Sequence, residues 1–284
     1  QAMRELANGQ IRAPDRQVVP IDPASVLLGM PAIGSDISVT KLITVHAGNA
    51  QHGLPTIQGE VIVFETASGR RLALLDAPAV TARRTAAVTL LGIQTLLPKL
   101  PGTVLIIGTG TQAAAHADAL LDFFGVSRFW IAATEMRKAE AFCAKLRKRH
   151  PQITALPLTA AQLASDLPTT DVVIAVTTAK TPVIPTHIAA ATLAIGVGAF
   201  KPDMAEFPPQ LLRERQIVVD DLDGARHEAG DLLQANVDWS QITALSQVLD
   251  GTARLSSQMP VFKTVGQAAW DLAAARVALA SLNT

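Results

Sequence analysis

From residue 103 onward the chain repeats one phrase, a short and almost wholly apolar run followed by a helical pattern. "TVLIIGTG" leads into a helical stretch over 111–124, with Leu120, Leu121 and Phe124 on one side and Gly125 as its C-cap. "RFWIAAT" (128–134) leads into a helix through "EMRKAEAFCAKLRKRH" that Pro151 stops. "ITALPL", "DVVIAVTT", "TLAIGVG" and "QIVVDD" follow, separated by polar or helical segments. Strands without polar alternation are buried on both faces, and the intervening helices supply the crossovers that parallel strands need. The pattern predicts an α/β fold with a doubly wound parallel sheet.

Before residue 98 the grammar differs. "GEVIVFETASGRRLALLD" reads as two strands joined by a turn around Ser68-Gly69, a β-hairpin, and "SVTKLITVHAG" as a further strand. "TARRTAAVTLLGIQTLL" (81–97) reads as a helix, and Pro98 and Pro101 mark the passage into the parallel region. The last segment, "GQAAWDLAAARVALASL", is a long Ala-rich helix. The expected organisation is an α+β domain over 1–97, completed by a C-terminal helical segment over 262–284, and a parallel-sheet domain over 98–261. The chain opens on "QAMRELANGQ", as if partway along a helix that Gly9 ends, so the natural protein is expected to start earlier.

Composition excludes several function classes. Lys+Arg and Asp+Glu are both 24 in 284 residues, so no global attraction to nucleic acid or an anionic membrane is implied. The single cysteine, Cys143, rules out an intramolecular disulfide and fits a reducing, cytoplasmic setting; within its helix it reads as a small core residue rather than a nucleophile. The longest apolar runs are strand-length and broken by Gly, Thr or Pro, so no membrane span or signal peptide is expected. His46, His52, His116, His150, His187 and His227 form no pair at metal spacing with acid partners, so no metal is expected.

The chemistry begins at "VLIIGTGTQAAAH" (104–116). Gly108 permits a tight turn after the strand. Gly110 removes a side chain where backbone would approach a pyrophosphate, and Ala113 is small enough for close helix–strand packing. The helix start at Thr111 and Gln112 offers free N–H groups and a partial positive charge to phosphates. The tip of the next strand should meet the adenine ribose. There Thr134, Arg137 and Lys138 lean towards NADP, and Glu135 pulls towards NAD. Arg137 and Lys138 could equally do no more than solvate a helix face.

Four segments together resemble the ornithine cyclodeaminase/μ-crystallin family: "TKLITVHAGNAQHGLPTIQGEVIVFETASGRRLALLD" (40–76), "TARRTAAV" (81–88), "IIGTGTQAAAH" (106–116) and "VFKTVGQAAWDLAAA" (261–275). The resemblance implies a Rossmann domain beside a substrate and dimerisation domain, and hence a homodimer. It implies an amino acid or cyclic imino acid bound beside a nicotinamide. It places Lys41, Arg84 and Arg16 facing the substrate, Thr85 and Thr177 beside the cofactor, and Thr264-Val265-Gly266 along the nicotinamide. These residue types suit the task. A guanidinium fork holds a carboxylate in two places, and a lysine ammonium can bind it or relay a proton. On spacing alone, Lys41 could instead lie on the polar face of its strand, and one of the adjacent Arg83 and Arg84 should be a surface charge.

One departure narrows the reaction. Cyclodeaminases of the family carry an aspartate after the strand at 192–198, in a segment of the form G-x-D-x-P-x-x-x-E. Aligned on Gly198, Pro202 and Glu206, that position is Phe200. Phenylalanine cannot accept a proton or orient an amine, but it can wall a ring-shaped substrate. Asp203 aligns with a different, turn position. The expected activity is therefore NADPH- or NADH-dependent reduction of a cyclic ketimine, with Lys41 and Arg84 catalytic and Arg16 and Phe200 at the substrate. An ornithine cyclodeaminase, an alanine-type dehydrogenase and a non-catalytic NADP-binding crystallin remain open beside it.

Overall fold

The structure is a computed structural model that describes residues 1–165 and 167–282. The chain forms two compact units, one of residues 1–85 with 267–284 and one of residues 86–266.

The first unit is built on an antiparallel sheet of five strands in chain order: β1 (Gln17–Asp22), β2 (Ser25–Ile33), β3 (Ile37–His46), β4 (Ile57–Glu65) and β5 (Arg71–Asp76). The expected hairpin is β4–β5, and Gly69 at its turn has φ +71°. Strands β1 and β2 have no counterpart in the sequence reading. Every residue of β1 is exposed, so it carries no apolar alternation, and Pro20 is tolerated because β1 is an edge strand. A short helix, α1 (Ala2–Ala7), precedes the sheet.

Helix α2 (Ala77–Leu96) starts four residues before the predicted helix. The Asp76 carboxylate accepts a hydrogen bond from the Ala79 N–H (2.7 Å), and Pro78 occupies the first turn, so both start signals lie ahead of Thr81. The last helix of the chain, Ala268–Leu282, packs on β2 and β3 and is tied down by Arg276, which pairs with Asp36 and Glu5.

The second unit holds an eight-stranded sheet, parallel at every pairing: β6 (Thr103–Ile107), β7 (Arg128–Ala132), β8 (Thr154–Leu158), β9 (Val172–Ala175), β10 (Leu193–Gly196), β11 (Ile217–Val219), β12 (Thr243–Ala244) and β13 (Val261–Lys263). Their order across the sheet is β12-β11-β13-β10-β9-β6-β7-β8. The central strands β9 and β10 are buried along their whole length, and β6 from Val104 onward, as their apolar runs require. The helices are α3 (Thr111–Phe124), α4 (Met136–Arg149), α5 (Ala160–Ser165), α6 (Pro209–Glu214), α7 (Leu222–Glu228), α8 (Gly230–Gln234) and α9 (Leu245–Leu249). The Ala268–Leu282 helix is accordingly α10.

The division of the chain differs from the sequence expectation at both joints. It falls inside α2, between Thr85 and Ala86, rather than at Pro98. From Ala86 onward α2 packs within the second unit. A Cβ on Gly92 would lie 2.5 Å from the Phe262 ring, and Thr89 bonds His116. Residues 262–266, expected with the first domain, belong to the second unit, because Phe262 and Lys263 are strand β13 inside the parallel sheet. Residues 283 and 284 of that expected segment lie outside the described residues. No helix among the described residues is long and apolar enough to cross a membrane.

Candidate active site

In the first unit Lys41 lies on the inward face of β3. Ile37, Val39, Lys41 and Ile43 alternate with more exposed neighbours, and Lys41 is only 1% exposed beneath α10. Its cross-strand neighbours, Met30 on β2 and Val61 on β4, are apolar. A lysine there needs an anion, and α10 supplies it: Asp271 Oδ2 is 2.8 Å from Lys41 Nζ. The other oxygen, Oδ1, is 3.3 Å from Nε of Arg84 on α2. Thr81, one turn earlier on α2, accepts a hydrogen bond from Lys41 Nζ at 3.4 Å.

Burial is the main cause that lowers the Lys41 ammonium, to about 8, and repulsion from Arg84 adds to it. Asp271 pulls the value back up, and Arg16 adds a weaker repulsion. The question left by the strand alternation is thus answered for Lys41, which is not on the polar face. Of the two adjacent arginines Arg84 points inward, its side chain 10% exposed, and Arg83 faces solvent. Arg16 is half-buried just ahead of β1, and Thr85 is buried beside Arg84.

The second unit carries the glycine loop. Gly108 has φ +122°, and a Cβ there would stand 2.8 Å from the Val176 carbonyl oxygen, so only glycine fits. Gly110 is the N-cap of α3 with no side chain bonded over the helix end, and open space surrounds the position of its absent Cβ. Thr111 is exposed at the helix start, while the buried Gln112 Oε1 has no hydrogen-bond partner among the described residues. Ala113 is fully buried, as close helix–sheet packing asks. His116 is held in the core by Thr89 and by the Gln112 carbonyl, and burial lowers it to about 4, so it is neutral.

A cavity of about 390 Å³ opens beside Thr109, Gly110 and Thr111, with Lys138, Lys145 and Arg149 on its α4 side. Beyond β7, Thr134 is exposed. Glu135 pairs with Arg137 (2.7 Å) and Lys138 (2.6 Å), so the three opposing signals in the sequence form one small ion cluster. The uncapped helix end, the glycine-only turn and these cations fit a dinucleotide phosphate.

Thr177 is fixed by Glu206, whose Oε1 accepts from the Thr177 N–H (2.7 Å) and hydroxyl (2.9 Å). Glu206 Oε2 accepts from the N–H groups of Gly198 (2.7 Å) and Ala199 (3.3 Å). Burial pushes the Glu206 carboxyl up to about 7, against the pull of Lys263 and of the Thr177 donors. Behind it, Asp231 accepts from the N–H groups of Glu206 and Phe207 and pairs with the fully buried Lys263 at 3.1 Å. Phe200 is half-buried, with Lys201 Nζ 5.9 Å from its ring centre. Asp203 lies on an exposed turn and pairs with Lys180. Val265 belongs to a segment fastened by Asp220, which accepts from the Thr264 hydroxyl (2.6 Å) and from the N–H groups of Val265 (3.1 Å) and Gly266 (3.2 Å). Among the described residues no three His, Cys, Asp or Glu side chains gather as a metal ion would need.

Sequence reasoning missed Asp271, Asp220, Asp231 and the capping role of Glu206. Asp271 left one signal, the lone acid of an Ala-rich helix, "AAWDLAAARVALA".

A parallel sheet whose first βα turn is an uncapped glycine loop, joined to a unit with a buried lysine–arginine pair, is the architecture of a dinucleotide-dependent enzyme acting on a small anion. The chain matches the ornithine cyclodeaminase/mu-crystallin family over residues 1–283 and belongs to that family. It is 45% identical over 278 residues to the Delta(1)-pyrroline-2-carboxylate/Delta(1)-piperideine-2-carboxylate reductase of Azospirillum brasilense, covering 98% of this chain and 88% of that one. It is 31% identical to the ketimine reductase mu-crystallin of Mus musculus, covering 95% and 85%. Among solved structures, the Delta(1)-pyrroline-2-carboxylate reductase of Thermococcus litoralis, in complex with NADH and L-proline, has the same fold. Its TM-score is 0.87 at 24% identity, over 98% of this chain and 89% of that one.

Proposed function

We propose that this protein is an NAD(P)H-dependent reductase of cyclic ketimines, converting Δ1-pyrroline-2-carboxylate to L-proline and Δ1-piperideine-2-carboxylate to L-pipecolate. The observation that carries the reading is the buried Lys41–Arg84 cation couple of the first unit; in the sequence, position 200 is a phenylalanine, not an acid. The names of the relatives at 45% and 31% identity support it.

Arg84, its Nε turned to Asp271, offers the rest of its guanidinium to the substrate carboxylate, with Arg16 beside it. Lys41 holds a proton for the imine nitrogen, which must be protonated to accept hydride well. Phe200 gives the ring an apolar wall. The residues that would hold the dinucleotide are Thr85, Gly108, Gly110, Thr111, Gln112, Thr134, Arg137, Thr177 and Val265. A bound reduced nicotinamide supplies the hydride that adds to the C=N carbon. Arg137 and Lys138 beside Thr134 would supply positive charge for the 2′-phosphate of NADPH.

The test is loss of reduced-nicotinamide absorbance when freshly made cyclic ketimine is added with NADPH or, separately, NADH. Turnover is expected with both, faster at low concentration with NADPH. No oxidation with either cofactor sinks the reading. Ammonia release from L-ornithine, or turnover of pyruvate with ammonia, would replace it with a cyclodeaminase or an alanine-type dehydrogenase.

The protein is further read as a homodimer through the sheet of its first unit. One face of that sheet is covered by α10, while the opposite face shows Leu42 and Leu74, each about half exposed, Leu74 in line with Ile62 and Thr40 and Leu42 in line with Glu60. Exposed leucines on an uncovered sheet face favour an interaction surface. Sedimentation as a dimer at micromolar concentration is expected, and Leu42→Glu should yield a monomer. A wild-type monomer at that concentration would refute the assembly.

A further inference from the structure

We propose that Asp271 is a positioning residue of the substrate site: one buried carboxylate holds Lys41 by one oxygen and Arg84 by the other, so that the pair presents a single net positive charge to a single substrate carboxylate. The inference rests on the reading of Lys41 and Arg84 as the substrate grip and deepens it.

The geometry is specific to that task. Asp271 is fully buried, and among the described residues its oxygens accept from no backbone N–H; its partners are Lys41 and Arg84. A carboxylate kept for helix or loop architecture would satisfy backbone N–H groups, as Asp220, Asp231 and Glu206 do in the other unit. Among the described residues Asp271 satisfies none, and its ion pairs are with the two cations of the site.

Charge arithmetic gives the reason. Lys41 and Arg84 side by side repel, and both are shielded from water. Without an anion the lysine would shed its proton, leaving no donor for the imine nitrogen. With the anion shared, both cations stay charged, and their remaining field matches a monovalent substrate. Among the described residues, the groups facing Lys41 are Arg84 and Thr81 from α2, Asp271 from α10, Arg16 at longer range, and apolar Met30 and Val61 on the flanking strands.

The experiment uses full-length protein labelled with ¹⁵N at lysine side chains, without cofactor or ketimine. The Lys41 ammonium signal is identified by its loss in Lys41→Met. Its titration midpoint is expected about one pH unit or more lower in Asp271→Asn than in wild type, and near wild type in Asp271→Glu, because removing a neighbouring anion disfavours the charged amine. The high-pH limb of kcat/KM for ketimine reduction should move down with it in Asp271→Asn. In Asp271→Glu, where the carboxylate keeps its charge but overshoots Arg84, KM should rise about ten-fold with kcat little changed. A midpoint in Asp271→Asn within a few tenths of a unit of wild type overturns the proposal. Should that variant not fold, an unchanged KM in Asp271→Glu overturns it instead. A lowered midpoint in Asp271→Asn, together with a wild-type protein that reduces no ketimine, would leave the role of Asp271 standing and remove the proposed function.

Discussion

Replacing Lys41 by methionine is expected to lower kcat/KM for ketimine reduction by about 10²- to 10⁴-fold, the range for losing a positioned proton donor. Methionine has nearly the length of lysine and fills the slot between Met30 and Val61. Asp271 would keep Arg84 as its counter-charge, so the variant should remain folded. Arg84→Ala should cost a comparable factor, distributed differently: chiefly in KM, because a carboxylate contact is made in the ground state as well as in the transition state. Steady-state rates with circular dichroism as the fold control read both. Near-normal rates in both variants would place the chemistry elsewhere.

The second large effect is on stability. Glu206→Ala removes the acceptor for four donors on the loops that follow β9 and β10, and it takes one carboxylate from the surroundings of Lys263, which keeps Asp231 and the Gly196 carbonyl. Unpairing buried polar groups and charges on this scale costs about 3–5 kcal/mol. The urea midpoint should fall accordingly, and the affinity for the reduced cofactor should fall with it because Thr177 loses its anchor. Glu206→Gln keeps the shape but points an amide at some of the same donors, so its loss should be smaller. An unfolding midpoint unchanged in Glu206→Ala would show that these loops are held by something else.

The parallel sheet was legible because burial on both faces leaves no choice of residue: "VLII", "VVIA" and "LAIG" can be little else beside their helices. The glycine loop was legible because its turn tolerates no Cβ. What stayed hidden has a physical reason in each case. Strand β1 has no buried face to pattern, and β12 and β13 are two and three residues long, too short for any period to show. The α2 start was misplaced because Asp76 reads as the end of a strand as readily as the cap of a helix. At the site, Lys41 and Arg84 could be named through a family resemblance, but their burial could not. Asp271 stands 230 residues from Lys41, and an Ala-rich helix is apolar almost all round, so its sequence does not announce which side faces the sheet. Only the fold brings the three charges together.

The placement of β13 has a consequence for how the protein is made. This strand, completed at residue 263, lies between β10 and β11, which have no direct pairing with each other. During synthesis from the N-terminus, β6 to β10 can assemble as one ribbon and β11 with β12 as another. The two cannot join until β13 has left the ribosome. Up to that moment β10 offers an open, apolar edge, the kind of surface that recruits stray strands and chaperones. Strand β13 is the seam that closes the sheet, and the chain that follows it directly carries Asp271.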